Sequence, residues 1–163
     1  MASIGSYAYV LKCKLAVATS RNVGDPLKVA HAVRHLGDAY YYAGRAAQAE
    51  ACYAEALSIY RGNEQRQLLD LANAIRSFAV LKDYVGWPAE AKGLWQEAHD
   101  LYLGVNVPAG IAESAARLSL HARRLGDLQR SREWLSEASA AADVSNDPET
   151  LQYVREVRAV IEN

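Results

Sequence analysis

Residues Val33–Ala56 read VRHLGDAYYYAGRAAQAEACYAEA. Apolar and small residues recur at helical spacing on both sides of Gly44: Val33, Leu36, Gly37 and Tyr40 before it, Ala49, Cys52, Tyr53 and Ala56 after it. The pattern is that of two short helices joined by a tight turn. Gly37, Ala49 and Ala56 are small where two helix backbones must come close. Leu36, Tyr40 and Tyr53 are large where the space beside them must be filled. A helix pair of this size cannot bury its apolar surface alone, so it needs stacked neighbours.

The whole chain has room for them. Its 163 residues are 51% hydrophobic and 23% charged, which suits one soluble globular domain with a sizeable core. Eighteen Lys and Arg against 19 Asp and Glu leave a net charge of −1, so nothing electrostatic points to nucleic acid or an anionic membrane as partner. No run approaches the ~20 apolar residues of a membrane span. Lys12 and Lys14 interrupt the apolar N-terminal stretch, and no signal peptide is expected. The location expected is cytoplasmic. Cys13 and Cys52 each fall in an apolar helical pattern, where burial as a small hydrophobe competes with a disulfide or a reactive thiol.

Working outward, the periodicity predicts eight helices and no sheet. The first runs from a cap at Ser6 to about Thr19 and is apolar on two sides: Tyr7, Val10, Leu11, Leu15 and Ala18 on one, Tyr9, Cys13, Ala16 and Val17 on the other. SRNVGD (20–25) ends it. Asp25-Pro26 opens the second helix as cap and first-turn residue. Later helices are expected over about 46–61, 64–85, from Trp87-Pro88 to Gly104, 109–125, 128–143 and 148–161. The last carries Leu151, Val154, Val157 and Ile161 on one stripe and polar residues on the other.

Gly44, Gly86 and Gly126 are 42 and 40 residues apart. Aligned on them, Leu36 matches Phe78 and Leu118, and Gly37 matches Ala79 and Ser119. Ala49 matches Ala91 and Ser131, Tyr53 matches Trp95 and Leu135, and Ala56 matches Ala98 and Ala138. Small stays with small and large with large across three units.

These landmarks resemble the tetratricopeptide repeat, whose signature contains Leu-Gly, two residues, Tyr, then Ala, three residues, an aromatic. Leu36-Gly37-x-x-Tyr40 and Ala49-x-x-x-Tyr53 match it. Lys82 and Ala122 replace the Tyr in the second and third units. Nineteen residues separate Ala56 from Ile75, against about 11 in the standard repeat. The longer repeat resembles the kinesin-light-chain type. The resemblance implies an all-α, right-handed superhelix of antiparallel helix pairs: a flanking helix (6–24), repeats at 25–62, 63–104 and 105–145, and a capping helix (146–163).

In that family the first helices of the repeats line a concave groove that holds a peptide or protein. Helical position puts His31, Arg34, His35, Asp38, Tyr41 and Tyr42 on the groove face of the first unit. Asn73, Arg76, Ser77, Val80, Asp83 and Tyr84 follow in the second, and Glu113, Arg117, Leu120, Arg123 and Arg124 in the third. Arg34, Arg76 and Arg117 form one arginine per repeat, with tyrosines beside them, which suits a partner with acidic groups. The alternative is that they pair with Asp38, Asp83 and Glu113 on the same face. His31 and His35, four apart, have a spacing that can hold a metal, but Arg34 between them opposes a cation. There is no phosphate loop, nucleophile motif or CxxC. The reading is a non-enzymatic protein-interaction module without cofactor or metal. The alternative is a self-associating structural protein, a homodimer whose groove takes no ligand.

Overall fold

The computed structural model describes residues 4–162. Among them lie eight helices and no strand: α1 (Ile4–Val23), α2 (Pro26–Tyr42), α3 (Ala46–Gly62), α4 (Leu68–Tyr84), α5 (Pro88–Gly104), α6 (Pro108–Arg124), α7 (Leu128–Ser145) and α8 (Pro148–Glu162). All four prolines occupy the first position of a helix, where the missing N–H has no partner to lose. Asp25 caps α2 by accepting from the amides of Leu27 and Lys28. Asp127 caps α7 and Asp147 caps α8 in the same manner. Gly44, Gly86 and Gly126 all have φ between +72° and +81°, the left-handed conformation that the aligned turns demand. Asn106 and Asn146 take that conformation at the α5–α6 and α7–α8 junctions.

Three boundaries differ from expectation. Ser6 lies inside α1 rather than capping it, and α1 continues through Ser20–Val23 to Gly24. There the Ser20 hydroxyl donates to the Ala16 carbonyl, and Arg21 pairs with Glu55 of α3 at 2.7 Å. α4 starts at Leu68, not near Glu64, because Asn63 folds the chain into a turn. Its side chain accepts from the Gln65 amide and its carbonyl from the Arg66 amide. Asn163 lies outside the described residues.

The helices form two compact units, Met1–Trp87 and Pro88–Asn163. In the first, α2 packs on α1 and α3, and α3 on α4. Its core is Val33, Leu36, Tyr53, Leu57, Tyr60 and Ile75. Gly37 faces the Tyr53 ring so closely that a Cβ there would lie 2.6 Å from Cε1. In the second unit α6 packs on α5, α7 and α8 around Trp95, Tyr102, Leu118 and Leu135. At the positions aligned with Gly37 and Ala49, the Ser119 hydroxyl donates to the Ser131 carbonyl at 2.8 Å. A second close approach was not foreseen: Gly110 lies flat on the Tyr102 ring, with room for no Cβ.

α1 corrects the two-sided reading. Val10, Cys13 and Val17 are buried, one residue from one predicted face and two from the other. Tyr7, Leu11 and Leu15 are exposed. Both cysteines are free and buried. Burial pushes the Cys52 thiol up to about 11 and Cys13 in the same direction, so neither is poised as a thiolate. No helix among the described residues is long and apolar enough to cross a membrane.

Candidate functional site

The start of α2, fixed by Asp25 and Pro26, sets the register of its outward side chains. His31, Arg34, His35 and Asp38 then fall three or four residues apart on one side. Arg34 Nη1 donates to Asp38 Oδ2 at 3.2 Å, and its Nη2 donates to His35 Nε2 at 2.9 Å. A guanidinium can only donate, so Nε2 accepts and the ring proton sits on Nδ1, 3.5 Å from the same carboxylate. From α3, the Tyr53 hydroxyl donates to Asp38 Oδ1 at 2.8 Å. Burial pushes the Asp38 carboxyl up, but hydrogen bonds from His35, Tyr53 and Ser77, with the Arg34 charge, outweigh it and hold its pKa below the ordinary value. Burial first, and then Asp38, drives the Tyr53 hydroxyl far up. Arg34 is thus engaged internally, as the pairing alternative anticipated for Asp38.

His31 stands edge-on to His35, with ring centroids 4.5 Å apart. Partial burial, followed by His35 and Arg34, lowers its pKa and keeps it neutral at pH 7. Beside the pair opens a cavity of about 620 Å³. Cys13, Leu27 and Ala32 give it apolar lining; His31, Gln67 and Asp70 give it polar lining. Among the described residues, no three His, Cys, Asp or Glu side chains converge as a metal would need.

At the C-terminal ends of α2 and α4 the tyrosines gather. Tyr41 meets Tyr42 and Tyr84 edge-to-face, at 5.4 and 5.5 Å between centroids. Tyr42 is 77% and Tyr84 64% exposed. Asn73 and Arg76 lie half-buried on α4, each already in an interaction.

Arg117 and Arg124 belong to the second unit. Arg117 lies between the rings of Trp95 and Tyr153, at 5.4 and 5.2 Å from their centroids. Arg123 donates to the carbonyl of Ile161 on α8. Arg124 is exposed. The role of Tyr153 escaped sequence reading because α8 looked apolar on one stripe and polar elsewhere.

Two further polar side chains are buried outside the expected groove face. Lys82, at the place of the consensus Tyr, is only 3% exposed. Its ammonium pairs with Glu50 at 2.7 Å and lies 4.0 Å from the centroid of Trp87 and 5.0 Å from that of Phe78. The only sequence signal was an aromatic four residues before Lys82 and another five after it. His99 is buried against Trp134, its Nε2 3.0 Å from Glu137.

No protein-family model matches the sequence, and no curated protein does. Solved structures do match the fold. BtubC (BKLC) from P. vanneervenii is similar at TM-score 0.78 and 17% identity, over 98% of this chain and 66% of that one. The nearly identical TPR-like repeats of a Podosopora anserina kinesin-light-chain candidate are similar at TM-score 0.70 and 16% identity, over 94% and 87%. The fold is tetratricopeptide-like. The N-terminal domain of stress-induced protein-1 (STI-1) from C. elegans agrees, at TM-score 0.61 and 19% identity over 82% of this chain and 97% of that one. The chain spans 66% of the length of BtubC.

Proposed function

We propose that this chain is a non-enzymatic interaction module, with repeats at 25–62, 63–104 and 105–145, that captures a peptide or protein segment on the α2–α4 face of its first unit. The observation that carries the reading is the tyrosine cluster: two rings exposed by 77% and 64% are held in place edge-to-face by a third. Rigid, exposed aromatics offer large contact area at little entropic cost. The cavity beside His31 and His35 adds a concave surface next to α2, large enough for several side chains of a bound segment. An acidic partner would have to compete with Asp38 for Arg34. We therefore assign the main contact to the aromatics rather than to the arginine row.

The test is a pull-down with the double change Tyr42→Ala/Tyr84→Ala. Both rings are exposed, so the variant folds, and partners recovered by the unaltered chain are lost. Equal recovery of the same partners would remove this face from the argument.

A second reading has its own observation. Leu11 and Leu15 on α1 are 59% and 69% exposed, side by side one turn apart. That favours self-association through α1.

A further inference from the structure

The cavity beside His31 and His35 lies wholly within the first unit. Its walls come from α1, α2 and the start of α4, and they divide by chemistry. Cys13, Leu27 and Ala32 form an apolar wall. His31 and Gln67 are polar and carry no charge at pH 7. Asp70, in the first turn of α4, brings a carboxylate. It is half-buried, and among the described residues no Lys or Arg pairs with it and no donor bonds to it.

The cations of the neighbourhood are engaged elsewhere. The Lys28 ammonium lies 3.7 Å from Asp25. Arg34 donates to Asp38 and to His35. His35 accepts that bond on Nε2, so its ring is neutral as well. The open charge of the cavity is therefore negative. A cationic group complements it, and the apolar wall beside it suits a long methylene stem. A guanidinium has an advantage over an ammonium. Its planar fork meets a carboxylate with two parallel N–H bonds, and it stacks on flat rings such as imidazole.

Resting on the reading of the α2–α4 face as a capture site, we propose that the cavity takes a basic side chain of the captured segment. That side chain is an arginine whose guanidinium pairs with Asp70 and whose stem lies on Cys13, Leu27 and Ala32. The charge preference is thus opposite to the acidic one that the arginine row suggested. His31 and Tyr42 are eleven residues apart on α2, a rise of about 16 Å. An extended segment covers that distance in about five residues. The arginine therefore stands about five residues from the part of the segment that meets Tyr42 and Tyr84.

Titration of the isotope-labelled full chain with N-acetyl-arginine amide, followed by backbone amide NMR shifts, tests the pocket. The isosteric N-acetyl-citrulline amide, a urea in place of the guanidinium, is the control. Arginine amide should shift the resonances of His31, Gln67 and Asp70 and saturate in the millimolar range. Citrulline amide should bind at least about fivefold more weakly. Asp70→Asn, its fold checked by circular dichroism, should lose a similar factor for arginine amide. Salt at about 0.5 M should weaken binding to the wild type. Shifts that do not saturate, or equal binding of the two amides, overturn the proposal. So does an Asp70→Asn variant that binds arginine amide as the wild type does. The pull-down with Tyr42→Ala/Tyr84→Ala judges the tyrosine contact separately. Arginine binding together with undiminished partner recovery by that variant overturns the tyrosine contact and keeps the pocket. No arginine binding, with partners lost by that variant, does the reverse.

Discussion

Gly37 lies against the ring of Tyr53. A Cβ on that glycine would approach Cε1 to 2.6 Å and Cδ1 to 2.8 Å. The ring cannot retreat, because Tyr53 is buried and its hydroxyl is bonded to Asp38. Gly37→Ala should therefore destabilise the fold by about 2–3 kcal/mol through overpacking. Gly93, in α5, has nothing within 4 Å of its would-be Cβ. Gly93→Ala should stabilise by about 0.5–1 kcal/mol, as alanine replaces glycine in a helix. Urea unfolding of both variants checks the contrast, and equal effects would refute the close-packing account.

The Asp38 network predicts a pH dependence. Its carboxyl has a pKa below the ordinary 3.8 in the folded chain. The unfolded chain therefore binds more protons across the interval between the two values, and stability rises with pH there. The contribution is full above the ordinary value and is lost as pH falls through the folded one. His31 acts with the same sign below its ordinary 6.5, since its folded pKa is also lowered. Urea midpoints measured from pH 7 down to pH 3 should fall less steeply in Asp38→Asn than in the wild type.

Lys82 and Glu50 form a pair whose ammonium is buried between aromatic faces. Removing one partner strands the other, so Glu50→Ala should cost about 1–3 kcal/mol. Lys82→Met fills the same space without a charge to desolvate. It should lie within about 1 kcal/mol of wild type. Chemical denaturation of each single variant and the double variant gives the coupling. A Lys82→Met variant less stable than Glu50→Ala would mean the ion pair itself holds α4 to α3.

Ser119 and Ser131 solve with a hydrogen bond the close approach that Gly37 and Ala49 solve by size. Ser119→Ala should cost about 1 kcal/mol. Adding Ser131→Ala should cost little more, because Ala79 and Ala91 already occupy the aligned positions of the second repeat. Thermal unfolding of the single and double variants tests this, and fully additive losses would contradict it.

Helix existence and most core residues were legible because burial imposes a strict period. Val33, Leu36, Tyr40, Ala49, Tyr53 and Ala56 are all buried as their spacing requires. α1 was ambiguous because apolar residues surround it. Only its packing on α2 selects Val10, Cys13 and Val17. Candidate site residues were assigned by helical position, which gives direction but not partners. Thus the adjacency of the His31 and His35 rings follows from their spacing, whereas the bonds from Arg34 to Asp38 and His35, and the stacking of Arg117 on Trp95 and Tyr153, depend on long side chains choosing among several neighbours.

By itself the sequence determined the repeat: glycines spaced 42 and 40 apart, small and large residues in register, and prolines and aspartates at helix starts. These are local constraints, set by backbone conformation and by the closeness of adjacent helices. Only the tertiary structure decided how the charged groups are used. Lys82 is buried because Phe78, Trp87 and Glu50 converge on it, and Asp38 is bound on both oxygens because α3 brings Tyr53 to it. Such convergence joins residues far apart in the chain, and no single helical period encodes it.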